Sequence, residues 1–306
     1  MPLKTVKKDT PQQLTLEWKL HVKHYQLILT KDRCMGCQIC SLACPKEAIN
    51  LQKPEPSTGK TEPAKIDINL DKCNFCGICD VLCPYGAIRI MVDGENLLSI
   101  LEKESFPRLI RDIQIHEENY PKDPLETGDI CPLDLIFITP APEKETTGHS
   151  TRSPEGETGY PVKIDIQEEY CPGCRVCEFK LPEGVITVRK IFHGKLTLYS
   201  EKCPEDCTRC LDVCPITGAL YLDERAQSMQ VNEMFCVYCG ACQVVCPEEA
   251  LKVIRTRIRH TPVNSGAWNK TLERVCSPRA VTKELKTKAY YNARKAVENR
   301  LRRRKT

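Results

Sequence analysis

Cysteine is the residue type that offers most chemistry in this chain, since 21 of its 306 residues are cysteines. Most of them stand in one repeated pattern, Cys-x2-Cys-x2-Cys-x3-Cys-Pro. Three thiolates at this close spacing bind three irons of one cubane, and the fourth cysteine ligates a neighbouring cluster. The pattern therefore predicts [4Fe–4S] clusters and the transfer of single electrons.

Four intact copies of the pattern recur along the chain. They comprise Cys34, Cys37, Cys40 and Cys44; Cys73, Cys76, Cys79 and Cys83; Cys203, Cys207, Cys210 and Cys214; and Cys236, Cys239, Cys242 and Cys246. In the third copy the first gap is one residue longer, which alters the loop but not the number of ligands. Each fourth cysteine precedes a proline, which lacks an N–H and turns the chain away from the neighbouring cluster.

Neighbouring copies are expected to exchange their fourth ligands, because that cysteine lies on the following helix and points away from its own cluster. Four clusters follow from this exchange. Their expected ligand sets are Cys34, Cys37 and Cys40 with Cys83; Cys73, Cys76 and Cys79 with Cys44; Cys203, Cys207 and Cys210 with Cys246; and Cys236, Cys239 and Cys242 with Cys214.

A degenerate copy lies between the intact ones. Three of its cysteines repeat the first three ligand positions, but Leu181-Pro182 stands where Cys-Pro is expected. Upstream, Cys131 is an isolated fourth ligand that also precedes a proline. One copy lacks its fourth cysteine and the other lacks its first three. If the copies exchange their fourth ligands, these four missing cysteines all belong to the same cluster, and the other cluster of the pair keeps all its ligands. We therefore expect a fifth [4Fe–4S] cluster on Cys131, Cys171, Cys174 and Cys177.

Other interpretations of the cysteines remain open at this point. The middle site could be a three-cysteine [3Fe–4S] centre with Cys131 free. Zinc sites or inert buried thiols are the alternative for the whole set, but zinc ribbons use two separated Cys-x2-Cys pairs rather than three evenly spaced thiolates. Cys276 stands alone and is predicted to be a buried thiol rather than a ligand.

The elements that must position these cysteines are short strands on either side of each motif. Period-two alternation of apolar residues predicts strands at 24–29, 49–51, 65–70, 88–90, 195–199, 220–222, 229–231 and 251–254. Such β-α-β units used in pairs make a ferredoxin module. The expected fold class is α+β, with tandem ferredoxin-like two-[4Fe–4S] modules. Segments 53–60 and 139–159, rich in Pro, Gly, Ser and Thr, are predicted to be exposed loops.

The expected units are residues 20–105 with two clusters, 106–190 as a degenerate module with one cluster, 191–260 with two clusters, and 261–306 as a basic helical docking tail.

Residues 252–306 contain 17 Lys and Arg against 3 Glu, a net charge of +14, whereas residues 1–251 have a net charge of −10. Ser277 is a predicted N-cap, with Pro278 at the first helical position. A basic C-terminal helix with an apolar stripe is expected to attach to a partner; a merely solvated helix is the alternative.

Several function classes are excluded by composition. No apolar stretch approaches the roughly 20 residues of a membrane-spanning helix, and no signal peptide is visible, so a soluble cytoplasmic protein is expected. The six histidines lack metal-ligand spacing, and no glycine-rich nucleotide loop precedes a helix. No catalytic constellation is visible, so the chemistry on substrate is expected elsewhere. The basic run at 300–305 lacks an aromatic stacking platform, and nucleic-acid binding is not expected.

Residues beyond the cysteines carry a family resemblance. Residues 91–98 read MVDGENLL and residues 104–107 read ESFP, and both follow the motif that ends at Cys83. With the Cys203–Cys207 spacing and the tandem architecture, residues 20–260 resemble the polyferredoxin subunit of tungsten- or molybdenum-dependent formylmethanofuran dehydrogenase. The resemblance implies an archaeal C1 pathway of methanogenesis, in which CO2 is reduced at a metal–pterin subunit. This chain departs from that family by carrying fewer clusters.

The resemblance implies an electron-transfer subunit that relays low-potential electrons to or from a formylmethanofuran dehydrogenase complex. The expected partners are the catalytic subunits of that complex, with heterodisulfide reductase, hydrogenase or ferredoxin as the alternative partners. The alternatives are a polyferredoxin of a hydrogenase or heterodisulfide reductase system, or a free carrier that exchanges electrons like a ferredoxin. A free carrier has little use for a tail of charge +14, which favours attachment to a partner.

Overall fold

The computed structural model describes residues 4–55, 60–121, 130–140, 162–204, 207–223 and 228–303. Nearly all of the predicted loop at 139–159 lies outside the described residues, as does the tip of the loop at 53–60. The described chain forms small antiparallel sheets and mostly very short helices. This architecture of mixed helix and small sheets agrees with the α+β class predicted from the strand pattern.

The N-terminal module contains two sheets that flank two helices. Its strands are β1 (Lys4–Asp9), β2 (Gln13–Lys19), β3 (His24–Thr30), β4 (Ile49–Gln52), β5 (Lys65–Ile68) and β6 (Ile88–Val92), and its helices are α1 (Ile39–Ala43), α2 (Ile78–Leu82) and α3 (Ser99–Glu102). The larger sheet has the antiparallel order β1-β2-β3-β6, and β4 pairs with β5. One strand before each motif thus pairs with one strand after the other motif.

The hairpin of β1 and β2 extends this sheet beyond the expected module boundary at residue 20. Leu14 and Leu16 of β2 are buried together with Leu27 and Leu29 of β3. Alternate residues of a strand face the same side of a sheet, so this period-two pattern creates one apolar face. That face packs on the cysteine-bearing helices and shields them from water.

The middle module repeats the same two pairings. Its strands are β7 (Asp112–Ile115), β8 (Ile136–Pro140), β9 (Val162–Ile166) and β10 (Ile186–Arg189), with helix α4 (Val176–Lys180). The outer pair joins β7 to β10, and the inner pair joins β8 to β9. The loss of cysteines therefore left the strand topology of a two-cluster module in place.

The C-terminal module shows the topology again. Its strands are β11 (Phe192–Leu198), β12 (Leu220–Asp223), β13 (Ser228–Val231) and β14 (Leu251–Ile258), and its helices are α5 (Arg209–Val213) and α6 (Ala241–Val245). β11 pairs with β14 and β12 with β13. The ladder of the outer pair is irregular at His193 and Gly194, where a Cβ on the glycine would lie 2.3 Å from the carbonyl oxygen of Ile254.

A polar side chain ties one helix of each module to the strand that follows it. This residue comes directly after the third cysteine of a motif and accepts a hydrogen bond from the backbone N–H ten residues later. The pairs are Asp80 with Ile90, Glu178 with Val188, and Gln243 with Val253, at N···O distances of 2.7, 3.4 and 2.6 Å. The repeated contact fixes the short helix, and with it the third cysteine, against the sheet.

The segment 261–306 divides into two parts, which corrects the expectation of one docking tail. Helix α7 (Gly266–Val275) lies in the core: Trp268, Leu272 and Val275 are buried against residues of α1, α2 and α6. Their spacing puts the three side chains on one helix face. Helix α8 (Pro278–Arg303) starts at the predicted proline, and most of its described side chains are exposed. In the described residues, no helix combines the length and apolarity needed to cross a membrane.

Candidate iron–sulfur sites

Helices α1, α2, α4 and α6 each carry the third cysteine of a motif. Each of these helices begins after a residue in the left-handed conformation. These N-cap residues are Gln38, Gly77, Arg175 and Gly240, with φ between 68° and 95°. Another positive φ occurs two residues earlier, at Gly36, Phe75, Gly173 and Tyr238. Left-handed backbone favours glycine, so Gly77 and Gly240 suit this position, whereas Gln38 and Arg175 adopt it without that freedom.

These turns direct backbone N–H groups towards the cysteine sulfurs. The N–H of Tyr238 lies 3.4 Å from the Sγ of Cys236, and equivalent N–H groups face the thiols of Cys34, Cys73 and Cys171. Such donors stabilise negative charge on sulfur and are among the features that set cluster potential. The geometry of these loops therefore stabilises negative charge on the sulfur ligands.

The Cys-Pro segments make a second kind of turn, which also directs a backbone N–H group towards a cysteine sulfur. The N–H four residues after the cysteine points at its sulfur, from Ala48, Ala87 and Ala250 at 3.4, 3.2 and 3.3 Å. Proline itself has no N–H to offer, so the donors to the sulfur come from the residues after it; at Cys83 they are the N–H groups of Tyr85, Ala87 and Ile88.

The thiols gather in five groups of four. The groups are the first site (Cys34, Cys37, Cys40, Cys83), the second site (Cys73, Cys76, Cys79, Cys44), the third site (Cys171, Cys174, Cys177, Cys131), the fourth site (Cys203, Cys207, Cys210, Cys246) and the fifth site (Cys236, Cys239, Cys242, Cys214). In each group, the other three thiols are close enough to add to the effect of burial in raising the pKa of the third cysteine of the motif, which is Cys40, Cys79, Cys177, Cys210 or Cys242. Every motif thus contributes three cysteines to one site, and the fourth comes from a separate segment.

The thiols of a group surround a space rather than converge on a point. Those of the first, second and third sites each line a separate cavity. In the described residues, no three His, Cys, Asp or Glu side chains have the spacing to hold a single metal ion. Four thiols arranged around a cavity fit a polynuclear iron–sulfur group that bridges them. Cys276 belongs to none of the five groups.

Burial dominates the electrostatics of the thiols. It raises the pKa of Cys34, Cys73 and Cys236 to about 11, and the pKa of Cys174 and Cys210 to about 12. The neighbouring thiols raise the pKa further, because they would bring like charges together. Without a metal these groups hold their protons at neutral pH, so cluster insertion must release protons.

An apolar core occupies the other half of the middle module. Leu181, at the position of the lost fourth cysteine, is buried with Ile130, Val185 and Ile186. The turn after Leu181-Pro182 persists, with Gly184 at a φ of 84°. Aliphatic packing therefore fills the region that corresponds to a second cluster, while the turn keeps the geometry of a Cys-Pro segment.

Four basic side chains, which the sequence analysis did not single out, donate hydrogen bonds to cysteine carbonyls. Their partners are the carbonyls of Cys83 and Cys171 for Arg111, of Cys236 for Lys190, of Cys239 for Arg255 and of Cys44 for Arg274. A positive charge beside each of these ligand loops offsets the negative charge of a thiolate-bound cluster. A tertiary contact of this kind leaves no local motif in the sequence.

The modules meet through their sites. The thiols of Cys37 and Cys239 lie close enough for Cys239 to add to the effect of burial in raising the pKa of Cys37. A Cβ on Gly240 would stand 3.5 Å from the carbonyl oxygen of Cys37. Cys174 of the third site packs in the same apolar cluster as Cys83 and Cys214. The first, third and fifth sites therefore surround one junction.

Comparison with known proteins places this geometry in a family. A 4Fe-4S dicluster domain matches residues 33–87 and again 201–250. The chain is 33% identical over 103 residues to the aliphatic sulfonate oxidoreductase, polyferredoxin-like subunit, of Pyrococcus furiosus, covering 30% of this chain and 58% of that protein. It is 30% identical over 106 residues to hydrogenase-4 component A of Escherichia coli, covering 32% and 48%. The matches thus span about half the length of these two relatives.

A solved structure resembles the chain over a much greater length. It is a chain of the formate dehydrogenase, heterodisulfide reductase and formylmethanofuran dehydrogenase complex from Methanospirillum hungatei. The identity is 31%, the TM-score is 0.75, and the match covers 90% of this chain and 92% of that one. With two dicluster domains and a relative named polyferredoxin-like, this chain belongs to the polyferredoxin-like 4Fe–4S dicluster family.

Proposed function

We propose that this chain relays low-potential electrons through five [4Fe–4S] clusters to or from a formylmethanofuran dehydrogenase complex. The observation that supports it most is the arrangement of twenty cysteines in five groups whose neighbours are close to one another. A [4Fe–4S] cluster, when bound, accepts and releases single electrons. The role of the protein is to hold the ligands, exclude water and supply charge around them.

The contacts between sites support a proposed route for the electrons. Cys40 of the first site neighbours Cys79 of the second, and Cys210 of the fourth site neighbours Cys242 of the fifth. The contact of Cys37 with Cys239 joins the two terminal modules directly. We infer a path from the second site through the first and fifth to the fourth, with the third attached at the junction.

The partner is inferred from the likeness to one chain of the Methanospirillum hungatei complex, which extends over nine-tenths of both chains. A specific observation also favours the runner-up, a hydrogenase-linked polyferredoxin, because hydrogenase-4 component A is among the relatives. The match to that protein spans only about half of its length, which makes the near full-length likeness the better guide.

Iron analysis tests the number of clusters. Anaerobically purified protein should contain about 20 irons and as many sulfides per chain, since each cubane has four of each. Cys174→Ala should lose about four irons, whereas Cys276→Ala, outside the five groups, should lose none. About 16 irons in the unaltered protein, or no loss in Cys174→Ala, would refute the proposed third cluster.

Capture of the tagged chain from its native host under anaerobic conditions tests the partner. We expect formylmethanofuran dehydrogenase subunits to be recovered, and the clusters of the chain to be reduced or oxidised by that complex. Recovery of hydrogenase subunits in their place would favour the runner-up. Recovery of neither, together with rapid electron exchange in solution, would indicate a free carrier.

Helix α8 is the proposed attachment to the partner. Tyr290 and Val297 are 72% and 56% exposed, and they lie among basic residues. Truncation after Leu285 keeps the buried Val281 and the contact of Glu284 with His260, so the body stays intact. We expect unchanged iron content and weaker partner capture, increasingly so as salt rises. Normal capture at physiological salt would leave α8 as solvated surface.

A further inference from the structure

A tyrosine hydroxyl is buried at the junction of three sites. Tyr85 is 3% exposed, and its hydroxyl has no hydrogen-bond partner in the part of the chain that the structure describes. Buried polar groups are almost always paired, so an orphaned hydroxyl needs an explanation. This one is surrounded by cysteine sulfur and apolar side chains.

The two ends of Tyr85 face different sites. Its backbone follows Cys83-Pro84 and lines the cavity of the first site, where its N–H is one of the donors to the thiol of Cys83. Its side chain packs with Cys239 and Cys214 of the fifth site. Burial raises the pKa of Tyr85 far above its ordinary value, with Cys239, Cys37 and Cys214 adding to the effect. A phenol is protonated at neutral pH because its ordinary pKa is about 10, so the side chain offers a neutral O–H donor.

We propose, on the basis of the cluster assignment above, that the Tyr85 hydroxyl donates a hydrogen bond to the sulfur of Cys239 when the fifth site holds its cluster. A phenol O–H can donate, and a cluster-bound thiolate is the acceptor that this pocket provides. The bond holds the fifth site against the first, because one residue then contacts both ligand sets. Tyr85 is a positioning residue, and no proton leaves it.

The bond also biases the fifth site towards its reduced state. Reduction adds negative charge to the cluster, and a donor to sulfur stabilises that charge. The fifth site should therefore have a higher reduction potential than it would have without the hydroxyl. At the point where the two terminal modules meet, this would favour the electron on the fifth site.

Tyr85→Phe tests the proposal, because it removes the hydroxyl and keeps the ring. Tyr25→Phe is the matched control: this ring packs on Phe75 at 6.2 Å in the N-terminal sheet. Both variants are purified anaerobically, their iron and sulfide are counted, and each cluster is titrated by electron paramagnetic resonance. Cys239→Ser, which alters one ligand of the fifth cluster, identifies the signal of that cluster.

We expect Tyr85→Phe to keep full iron content, with the fifth-site signal alone shifted to a more negative potential, and Tyr25→Phe to shift none. Unchanged potentials, a shift confined to another cluster, or loss of iron in Tyr85→Phe would overturn the proposal. Absence of the fifth-site signal from the unaltered protein would instead refute the cluster assignment itself, so the two failures are distinguishable.

Discussion

The middle module and the terminal modules have the same strand pairings but different interiors. In the terminal modules, two cysteine groups lie between the sheets and helices. In the middle module, one group remains, and Leu181, Val185 and Ile186 fill the other half. The same turns and the same helix-to-strand tie occur in both kinds of module. The same backbone arrangement can therefore enclose either a metal cluster or a core of aliphatic side chains.

This difference indicates what stabilises each half-module. Modules of this size bury little apolar surface by themselves, and metal–thiolate bonds can supply folding free energy in its place. Buried isoleucines, a leucine and valines occupy the half of the middle module that lacks cysteines. The comparison therefore predicts unequal responses to metal removal and to core mutation.

Removal of iron should have the largest effect. Anaerobic chelation should abolish amide protection in the ligand loops and short helices of both terminal modules, because these loops lose the bonds that hold them. Strands β8 to β10 should lose least, since their apolar core remains. Hydrogen exchange followed by mass spectrometry measures this, and reconstitution with iron and sulfide is the control. Cooperative thermal unfolding that persists unchanged after chelation would contradict the expectation.

Leu181→Ala should have a smaller effect that is confined to the middle module. Truncation of a buried leucine leaves a cavity and costs about 2–5 kcal/mol, which should appear as faster amide exchange in β10. Leu97→Ala is the control, because Leu97 is 49% exposed. Iron content should not change in either variant. Equal effects of the two substitutions would argue against a structural role for the apolar core.

Asp80→Ala should have the smallest effect of the three. The Ile90 N–H loses its acceptor, at a cost of about 1–3 kcal/mol, and its amide should exchange faster as β6 separates from α2. Asp80→Asn is the control, because an amide oxygen can still accept, as Gln243 does in the C-terminal module. If Asp80→Asn exchanges as fast as Asp80→Ala, the charge rather than the hydrogen bond is what matters.

Much of the local structure could be predicted from the motif spacing. The strands on either side of each motif and the start of α8 at Pro278 lie where the pattern indicated them. Thiolate spacing and proline placement depend on neighbours along the chain, so they are visible in the sequence. The alternation of Leu14 and Leu16 in β2 is an equally local pattern of the same kind.

The contacts between modules could not be predicted in this way. Tyr85 looks like an ordinary residue after Cys-Pro, and Lys190 and Arg255 look like surface bases; each acquires its role from a partner distant in the sequence. The left-handed Gln38 and Arg175 also carry no sign in their residue type. The contacts of Tyr85, Lys190 and Arg255 form only when the modules pack together.

The position of α7 has a consequence for how the protein is made. This helix is synthesised after all five cysteine groups, yet it packs on α1 near the N-terminus, and Arg274 binds the carbonyl of Cys44 at 2.9 Å. During translation the N-terminal module must therefore exist for some time without this cover. The ligand loops of that module are therefore complete in the chain before α7 can pack on them.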